Sequence, residues 1–268
     1  MTAVVTASAT VFAVIGDFGN ASPDEEGVAN RVKSWRPAYI VTTGDNNYPT
    51  GAAAALDPNI GAYYHNYIGG YHGTYGADTT RVNRFFPSLG NHDIVSQRGQ
   101  PYLDYFALPG NERYYQTRQG TVEWFILNSN PSEPHGTLPT SRQGQWLRQA
   151  LAASAAPWKV VVFHHPPYSS GSHGNAVWMQ WPFKDWGAHA VLAGHDHTYE
   201  RLVVNDLPYL VNGLGGSRLY EFDVIKPGSQ VRYNATFGAL RGKADAARMA
   251  FTFITSAGQA IDSLVLTR

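Results

Sequence analysis

The feature that most constrains this chain is a set of five stretches in which a short apolar run is followed by side chains that bind metals. The stretches are residues 16–19, 44–48, 90–93, 161–166 and 193–197. Apolar, β-branched runs that end at glycine or proline are typical of buried strands. We therefore expect several buried strands that carry oxygen and imidazole donors in the loops at their ends.

The first part of the chain predicts a strand, a helix and a second strand. Residues 10–15 are apolar and end at Gly16, and residues 39–42 are apolar and end before Gly44. Between them, Ser22 and the acidic residues that follow it are typical of a helix start, and Pro37 ends the helix after residue 35. This unit places an aspartate after each strand.

The same patterns predict the remaining elements. Residues 51–80 are rich in Gly, Ala, Tyr and His, which indicates a long excursion over the face that carries the loops. Helices are expected at residues 101–108, 141–151 and 177–186. Strands are expected at residues 114–116, 122–127, 158–163, 188–193, 201–204, 208–211, 231–236, 249–254 and 261–266. The chain has no repeat, linker or low-complexity block, which favours a single domain.

Composition excludes several kinds of site and partner. The chain has 268 residues, no cysteine, and 20 basic residues (Lys and Arg) against 20 acidic ones. Thiolate chemistry is therefore excluded, and a nucleic acid partner is not favoured. No apolar stretch approaches the roughly 20 residues that span a membrane. Residues 1–10 lack the features of a secretory signal, so none is expected in the chain as it stands, and a signal removed earlier would imply a secreted or periplasmic protein.

The donors in the five stretches match the needs of phosphoester hydrolysis. That reaction needs positive charge on the phosphoryl oxygens, an in-line nucleophile and a proton for the leaving group. Two metal ions roughly 3.5 to 4 Å apart supply the first two when a ligand bridges them. A single Gly-Asp or Gly-Asn pair indicates an ordinary turn, but five motifs in order after strands favour a metal site. The candidate donors are Asp17, Asp45, Tyr48, Asn91, His164, His195 and His197.

The order and spacing of these motifs resemble the calcineurin-like metallophosphoesterases and, within them, the small, single-domain purple acid phosphatases. The family pattern is Asp-x-Gly, Gly-Asp-x-x-Tyr, Gly-Asn-His-Asp/Glu, Val-x-x-His and Gly-His-x-His, and this chain keeps every fixed position. The resemblance covers about residues 11–201. It implies an α/β fold, a four-layer αββα sandwich of two mixed β-sheets flanked by helices, with one catalytic domain over residues 1–268.

The resemblance also implies two metal positions, by matched motif position. One ion is held by Asp17, Tyr48 and His197, and Asp45 bridges it to the second ion. That second ion is held by Asn91, His164 and His195. His164 rather than His165 occupies the family's histidine position, so His165 is expected to be structural or to support the ligands.

Tyr48 points to iron at the first position. A phenol has a pKa of about 10, so a tyrosinate ligand at neutral or acid pH requires a strongly polarising ion such as Fe(III). Gly19 agrees with this branch, because other branches of the superfamily resemble Asp-x-His at that point and lack the tyrosine. The resemblance implies Fe(II), Zn or Mn at the second position.

Two further histidines are expected to act on substrate. His92 follows Asn91 in a tight turn and has no metal role in the family pattern, so contact with phosphate and protonation of the leaving group are assigned to it. His173, beyond the proline loop, matches a substrate-facing histidine of purple acid phosphatases, although loop lengths vary there. Histidines without motif context, such as His135 and His189, are expected at surface or core positions.

The implied function is hydrolysis of a small phosphomonoester through a metal-bound hydroxide, with a proton supplied by His92 or His173. Two alternatives stay open. One is phosphodiester hydrolysis at the same two-metal site, and the other is a metal-binding module without catalytic activity. Neither a nucleic acid nor a membrane is expected as partner, and the oligomeric state is not predicted.

Overall fold

Two β-sheets packed face to face form the centre of the protein in this computed structural model, which describes residues 9–76 and 82–268. The strands are β1 (Thr10–Ile15), β2 (Ile40–Thr42), β3 (Phe85–Phe86), β4 (Tyr115–Gln119), β5 (Val122–Ile126), β6 (Trp158–Val162), β7 (Ala190–Ala193), β8 (Tyr199–Val204), β9 (Leu207–Asn212), β10 (Ser229–Tyr233), β11 (Gly238–Ala244), β12 (Arg248–Thr255) and β13 (Ala260–Thr267). The first sheet has the order β13-β12-β11-β1-β2-β3, and the second has the order β10-β8-β9-β7-β6-β5-β4.

The helices begin where the sequence supplies caps. Ser22 Oγ accepts from the Glu25 N–H at 3.2 Å, and Ser141 Oγ accepts from the Gly144 N–H at 3.2 Å, which confirms both predicted helix starts. No described helix is long and apolar enough to cross a membrane. The helices are α1 (Pro23–Ser34), α2 (Ala53–Leu56), α3 (Ala62–Tyr64), α4 (Gln100–Tyr105) and α5 (Arg142–Ala153), with a π-helical turn at Asp57–Gly61 and 3₁₀ turns at His65–Tyr67, Gln97–Gly99 and Val177–Met179.

Aromatic rings fill the space between the two sheets. Phe12 of β1 lies edge-on to Trp124 of β5, with ring centroids 5.2 Å apart, and stacks on Tyr39 at 5.3 Å. The Trp124 indole N–H donates to the Tyr39 hydroxyl at 3.1 Å, so the polar groups of these two buried rings are paired. Burial of each such ring stabilises the fold by roughly 1.5 to 3 kcal/mol.

The outer face of each sheet is covered by helices. Ala13 and Ile15 of β1 pack in one cluster with Val28 and Val32 of α1. On the other side, β5 and β6 pack against Leu147 and Leu151 of α5. Because alternate residues of a strand point to opposite faces, these strands carry apolar residues on both faces. The layers are helix, sheet, sheet and helix, which confirms the predicted fold class.

Parallel strands bring five loops to one edge of the sandwich. In the first sheet β1, β2 and β3 are parallel, and in the second β5, β6, β7 and β9 are parallel. The loops with the predicted donors follow β1, β2, β3, β6 and β7. Asp17, Asp45 and Asn91 therefore come from the first sheet, and all three predicted histidine ligands come from the second.

Two predictions of secondary structure are wrong or incomplete. The helix expected at residues 177–186 is only the 3₁₀ turn Val177–Met179, because Pro182 lacks an N–H and the Trp181 and Phe183 rings turn into the core beside α5. The sequence patterns do not predict strand β11, although it lies between β1 and β12. The predictions for residues 1–8 and 77–80 fall outside the described residues.

Candidate metal centre

Three of the predicted donors lie on left-handed backbone. The φ angles of Asp17, Asp45 and His195 are 56°, 51° and 69°. Residues other than glycine seldom adopt this region, and such residues cluster at functional sites where surrounding contacts hold them. Here the contacts come from neighbouring loops, since the His195 N–H donates to Asp17 Oδ2 at 3.0 Å and the Asp17 N–H donates to the Gly44 carbonyl at 3.0 Å.

The first group of donors surrounds the hydroxyl of Tyr48. Its oxygen lies 3.3 Å from Asp17 Oδ1, 3.1 Å from Asp45 Oδ2 and 3.1 Å from His197 Nε2. His197 Nε2 is itself 3.3 Å from Asp17 Oδ1. Four side chains thus point their donor atoms at one small volume.

The second group of donors surrounds His164. Its Nε2 lies 2.9 Å from Asn91 Oδ1 and 3.3 Å from Asp45 Oδ2. The His195 ring centroid is 5.0 Å from that of His164. Asp45 Oδ2 therefore contacts both groups, because the same atom is 3.1 Å from the Tyr48 hydroxyl.

The tautomers of the buried histidines suit metal binding. His164 Nδ1 is 2.9 Å from the Thr43 carbonyl, and His197 Nδ1 is 3.0 Å from the Arg218 carbonyl. A carbonyl only accepts, so each Nδ1 carries a proton and each Nε2 is the ring nitrogen directed at the site, where it would bind a metal ion through its lone pair once it has lost its own proton. Carboxylate, phenol, amide and imidazole donors in this arrangement fit two borderline or hard transition-metal ions.

Electrostatics also favour cations at this position. Burial alone would raise the pKa of Asp45, but the charge and hydrogen bond of His164 hold it below its usual value. Burial alone would lower the pKa of His164, yet Asp45 raises it to about 9. Burial and the charges of Asp17 and Asp45 raise the pKa of Tyr48 well above 10. Tyr48 would therefore ionise only beside a strong positive charge, which a metal ion supplies.

His165 lies next to the second group but contacts different residues. Its Nδ1 is 2.9 Å from Ser129 Oγ, and its ring centroid is 4.5 Å from that of His195. Burial and the charge of His164 lower its pKa to about 3. His164, His165 and His195 each have one ring nitrogen within 4.8 Å of the others, so His165 borders the second group. The short contacts to Asn91 and Asp45, however, are made by His164.

His92 stands at the open side of the site. Its N–H donates to Asp45 Oδ1 at 2.8 Å, and its Nδ1 is 2.6 Å from the Pro49 carbonyl. Its Nε2 lies 4.0 Å from Asp45 Oδ2, and 37% of the side chain is exposed. The ring therefore touches both the donors and the solvent.

His173 also lies beside the donors. Its ring stacks on His195 with centroids 4.3 Å apart, and its N–H donates to Asp196 Oδ1 at 2.9 Å. Asp196 is fully buried and also accepts from Ser169 Oγ at 2.5 Å. Both histidines predicted to act on substrate are therefore close to the predicted metal positions, and their roles stay predictions.

Two residues shape the donor loops in ways that the motifs did not reveal. Asp93 is buried and accepts from the Gly90 N–H at 2.8 Å and the Asn46 N–H at 3.0 Å, so it ties the Asn91 loop to the Asp45 loop. Gly19 packs so closely on the Asn46 carbonyl that no Cβ fits there. A side chain such as histidine at position 19 is therefore incompatible with this loop arrangement.

A pocket of about 470 Å³ opens directly onto the Tyr48 group. Sequence patterns do not indicate five of its eight lining residues. The signal that could have found three of them, Ser217, Arg218 and Tyr220, is the Gly215-Gly216 pair after β9, which lets the chain pass close to Gly16 and Glu25. The pocket is lined by Asn20, Tyr48, Pro49, His92, His197, Ser217, Arg218 and Tyr220.

The family is shown by a model of the calcineurin-like phosphoesterases, which matches residues 10–199. This chain belongs to that family. It is 26% identical over 214 residues to purple acid phosphatase 17 of Arabidopsis thaliana, covering 69% of this chain and 60% of that protein. It is 22% identical over 303 residues to human tartrate-resistant acid phosphatase type 5, covering 96% and 90%. The chain thus spans less than two thirds of the Arabidopsis relative.

Solved structures show the same fold. A purple acid phosphatase from yellow lupin seeds matches with a TM-score of 0.75 at 18% identity, over 98% of this chain and 54% of that one. GAP50, described as the anchor in the inner membrane complex of Plasmodium, matches with a TM-score of 0.73 at 18% identity, over 97% and 89%. At this identity the likeness concerns the architecture of the two sheets and their helices.

Proposed function

We propose that this protein is a hydrolase that cleaves phosphomonoesters at a two-metal centre, in the manner of a purple acid phosphatase. The observation that carries the proposal is the position of Asp45 Oδ2, which is 3.1 Å from the Tyr48 hydroxyl and 3.3 Å from His164 Nε2. A carboxylate shared by two donor groups is the arrangement that a bridged pair of ions requires.

We infer that the two positions hold different ions. Asp17, Asp45, Tyr48 and His197 would hold Fe(III), and the second group would hold Fe(II), zinc or manganese. That second group is Asp45, Asn91, His164 and His195. When bound, the two ions supply positive charge to the phosphoryl oxygens and a water acidic enough to become the nucleophile.

The protein's own side chains orient the substrate and move the proton. Because Nδ1 of His92 donates to the Pro49 carbonyl, the proton that His92 can give up is the one on Nε2. That atom lies 4.0 Å from Asp45 Oδ2, and His92 lines the pocket, so it can give its proton to a leaving oxygen bound there. His173, stacked on His195, is the second candidate proton donor.

Both sheets contribute donors, which supports the proposal that residues 1–268 act as one catalytic domain. The fold alone does not decide between a phosphatase and a binding module, since GAP50 shares it and is described as an anchor. The presence of seven candidate donors and both candidate acids in this chain favours catalysis.

Parallel assays test the proposal. Protein loaded with iron and zinc, with its metal content measured, is given p-nitrophenyl phosphate and bis(p-nitrophenyl) phosphate. We expect the monoester to be hydrolysed with the higher kcat/KM. A higher kcat/KM for the diester would assign the phosphodiesterase alternative, and no hydrolysis of either by fully loaded protein would assign the non-catalytic one.

A further inference from the structure

The pocket wall at residues 217–220 is hydrogen-bonded to two of the candidate metal ligands, Asp17 and His197. The Ser217 N–H donates to the Asp17 carbonyl at 3.2 Å, His197 Nδ1 donates to the Arg218 carbonyl at 3.0 Å, and the Tyr220 N–H donates to the His197 carbonyl at 3.1 Å. The Tyr220 ring also stacks on His197, with centroids 4.1 Å apart and planes 6° from parallel. The backbone that carries Arg218 is therefore fixed relative to the site.

The side chain of Arg218 forms no hydrogen bond or ion pair within the described ranges 9–76 and 82–268. It differs in this from arginines such as Arg201, which pairs with Asp262 at 2.7 Å, and Arg113, which pairs with Glu133 at 3.1 Å. Arg218 is exposed, and its contact with His197 is made by the backbone carbonyl alone. Its guanidinium is free to bind a ligand.

The charge of the pocket is positive on the side of Arg218. Eight described residues line the pocket, and Arg218 is the one among them with a permanent charge. His92 and His197 can also become positively charged, and none of the eight is a carboxylate. His92, the candidate proton donor to the leaving group, lines the same pocket. A substrate with phosphate at the metal centre would thus extend its alcohol part past His92 toward Arg218.

A guanidinium recognises planar carboxylates and phosphates through paired N–H donors. We propose that Arg218 forms a subsite for a second anionic group, a carboxylate or a phosphate, on the alcohol part of the phosphomonoester. The inference rests on the proposed function and deepens it, because such a subsite would favour phosphomonoesters with a second anionic group over those whose alcohol part is neutral.

Three substrates and three proteins test the subsite. The substrates are phenyl phosphate, 4-carboxyphenyl phosphate and hydroquinone bisphosphate, which separate a neutral alcohol part, a carboxylate and a phosphate. The proteins are wild type, Arg218→Gln and Arg118→Ala. Arg118 is an exposed arginine on β4 outside the pocket, so its variant controls for the loss of a surface charge. The Arg218 carbonyl that holds His197 is unchanged in Arg218→Gln.

The readout is the ratio of kcat/KM for each doubly anionic substrate to that for phenyl phosphate. Because each protein acts on the same substrates, differences in leaving-group chemistry cancel between proteins. We expect Arg218→Gln to lower this ratio about tenfold, which corresponds to the loss of one charge-assisted contact. Arg118→Ala should keep the wild-type ratio. Added salt should reduce the ratio in wild type more than in Arg218→Gln.

An unchanged ratio in Arg218→Gln would overturn the subsite while leaving phosphatase activity in place. If no substrate is hydrolysed, the proposed function fails, and calorimetry of 4-carboxyphenyl phosphate and phenyl phosphate binding to the same proteins decides the subsite separately. A lower affinity of Arg218→Gln for the carboxylated compound alone supports it, and equal affinities overturn it.

Discussion

Asp196 holds the backbone of His173 in place. Its Oδ1 accepts from the His173 N–H at 2.9 Å and its Oδ2 accepts from Ser169 Oγ at 2.5 Å, although Asp196 stands between His195 and His197 in the chain. The carboxylate is fully buried, and both of these hydrogen bonds go to the loop at residues 169–173. The segment after β7 that carries the candidate ligands His195 and His197 thus also positions the loop that carries His173, a candidate proton donor.

Replacement of Asp196 should therefore affect activity through His173. We expect Asp196→Ala to lower kcat for phenyl phosphate about tenfold and to cost about 1 to 3 kcal/mol of stability, because buried donors lose their acceptor. Asp196→Asn keeps an acceptor for the His173 N–H, so its losses of kcat and of stability should both be smaller. Metal content, measured on the same samples, should stay at the wild-type value. Equal losses in the two variants, or loss of metal, would contradict a positioning role.

Tyr48 should give the iron-loaded protein a visible absorption band. If its phenolate binds Fe(III), a charge-transfer band is expected in wild type and should be absent in Tyr48→Phe. Tyr220→Phe is the matched control, since its ring stacks on His197 and its hydroxyl forms no hydrogen bond with the described residues. A band that persists in Tyr48→Phe at equal iron content would refute ligation by Tyr48.

Glu25 should make stability depend on pH. Burial raises its pKa from 4.5 to about 8, although the Asn20 and Ala21 N–H groups donate to it. The folded state then keeps a proton that the unfolded state loses. This contribution is fully present below pH 4.5 and is lost as pH rises toward 8, on the order of 5 kcal/mol in total.

The glutamine in Glu25→Gln does not titrate, so position 25 should no longer make the free energy of unfolding depend on pH. Urea unfolding of both proteins at fixed metal content, from about pH 5 to about pH 9, measures the difference. We expect the free energy of unfolding of wild type to fall relative to the variant as pH rises. Parallel pH profiles would show that Glu25 does not carry a raised pKa.

Gly242 of β11 should tolerate no side chain. A Cβ at this position would overlap the ring of Phe12, which is fully buried between the sheets. We expect Gly242→Ala to lower the free energy of unfolding by about 1 to 3 kcal/mol. Gly27→Ala in α1 is the matched control, because its Cβ would lie 3.6 Å from the Ser256 Cβ, an ordinary contact, and alanine favours a helix. Equal stability of the two variants would contradict this packing.

The sequence predicted the parts of the site that local patterns specify. Apolar runs ending at Gly16 and Gly44, and the caps Ser22 and Ser141, depend on neighbours in the chain, and the structure contains them. The convergence of the donors follows from parallel strands, which place their carboxyl ends at one edge. The assignment of Tyr48 and His197 to one group came from the resemblance, and the distances around the Tyr48 hydroxyl agree with it.

The rest depends on contacts between distant segments. β11 was missed because Gly238 and Gly242 weaken the strand pattern, yet Gly242 is needed for the close approach of Phe12. Arg218 and Tyr220 join the site through hydrogen bonds to His197, which no local pattern encodes. The acid Asp93 is the last position of the Gly-Asn-His-Asp motif, but its bond to Asn46 forms only when the loops after β2 and β3 meet.

The most direct test of a bridged two-metal phosphatase is phosphate release from phenyl phosphate by wild type and Asp45→Asn, each with its metal content determined. We predict turnover in wild type with two ions per chain. We also predict a loss of about a hundredfold or more in Asp45→Asn, since electrostatic stabilisation of the reacting phosphoryl group contributes much of the rate enhancement. Turnover of fully metallated Asp45→Asn within a few-fold of wild type would contradict a bridging role for Asp45.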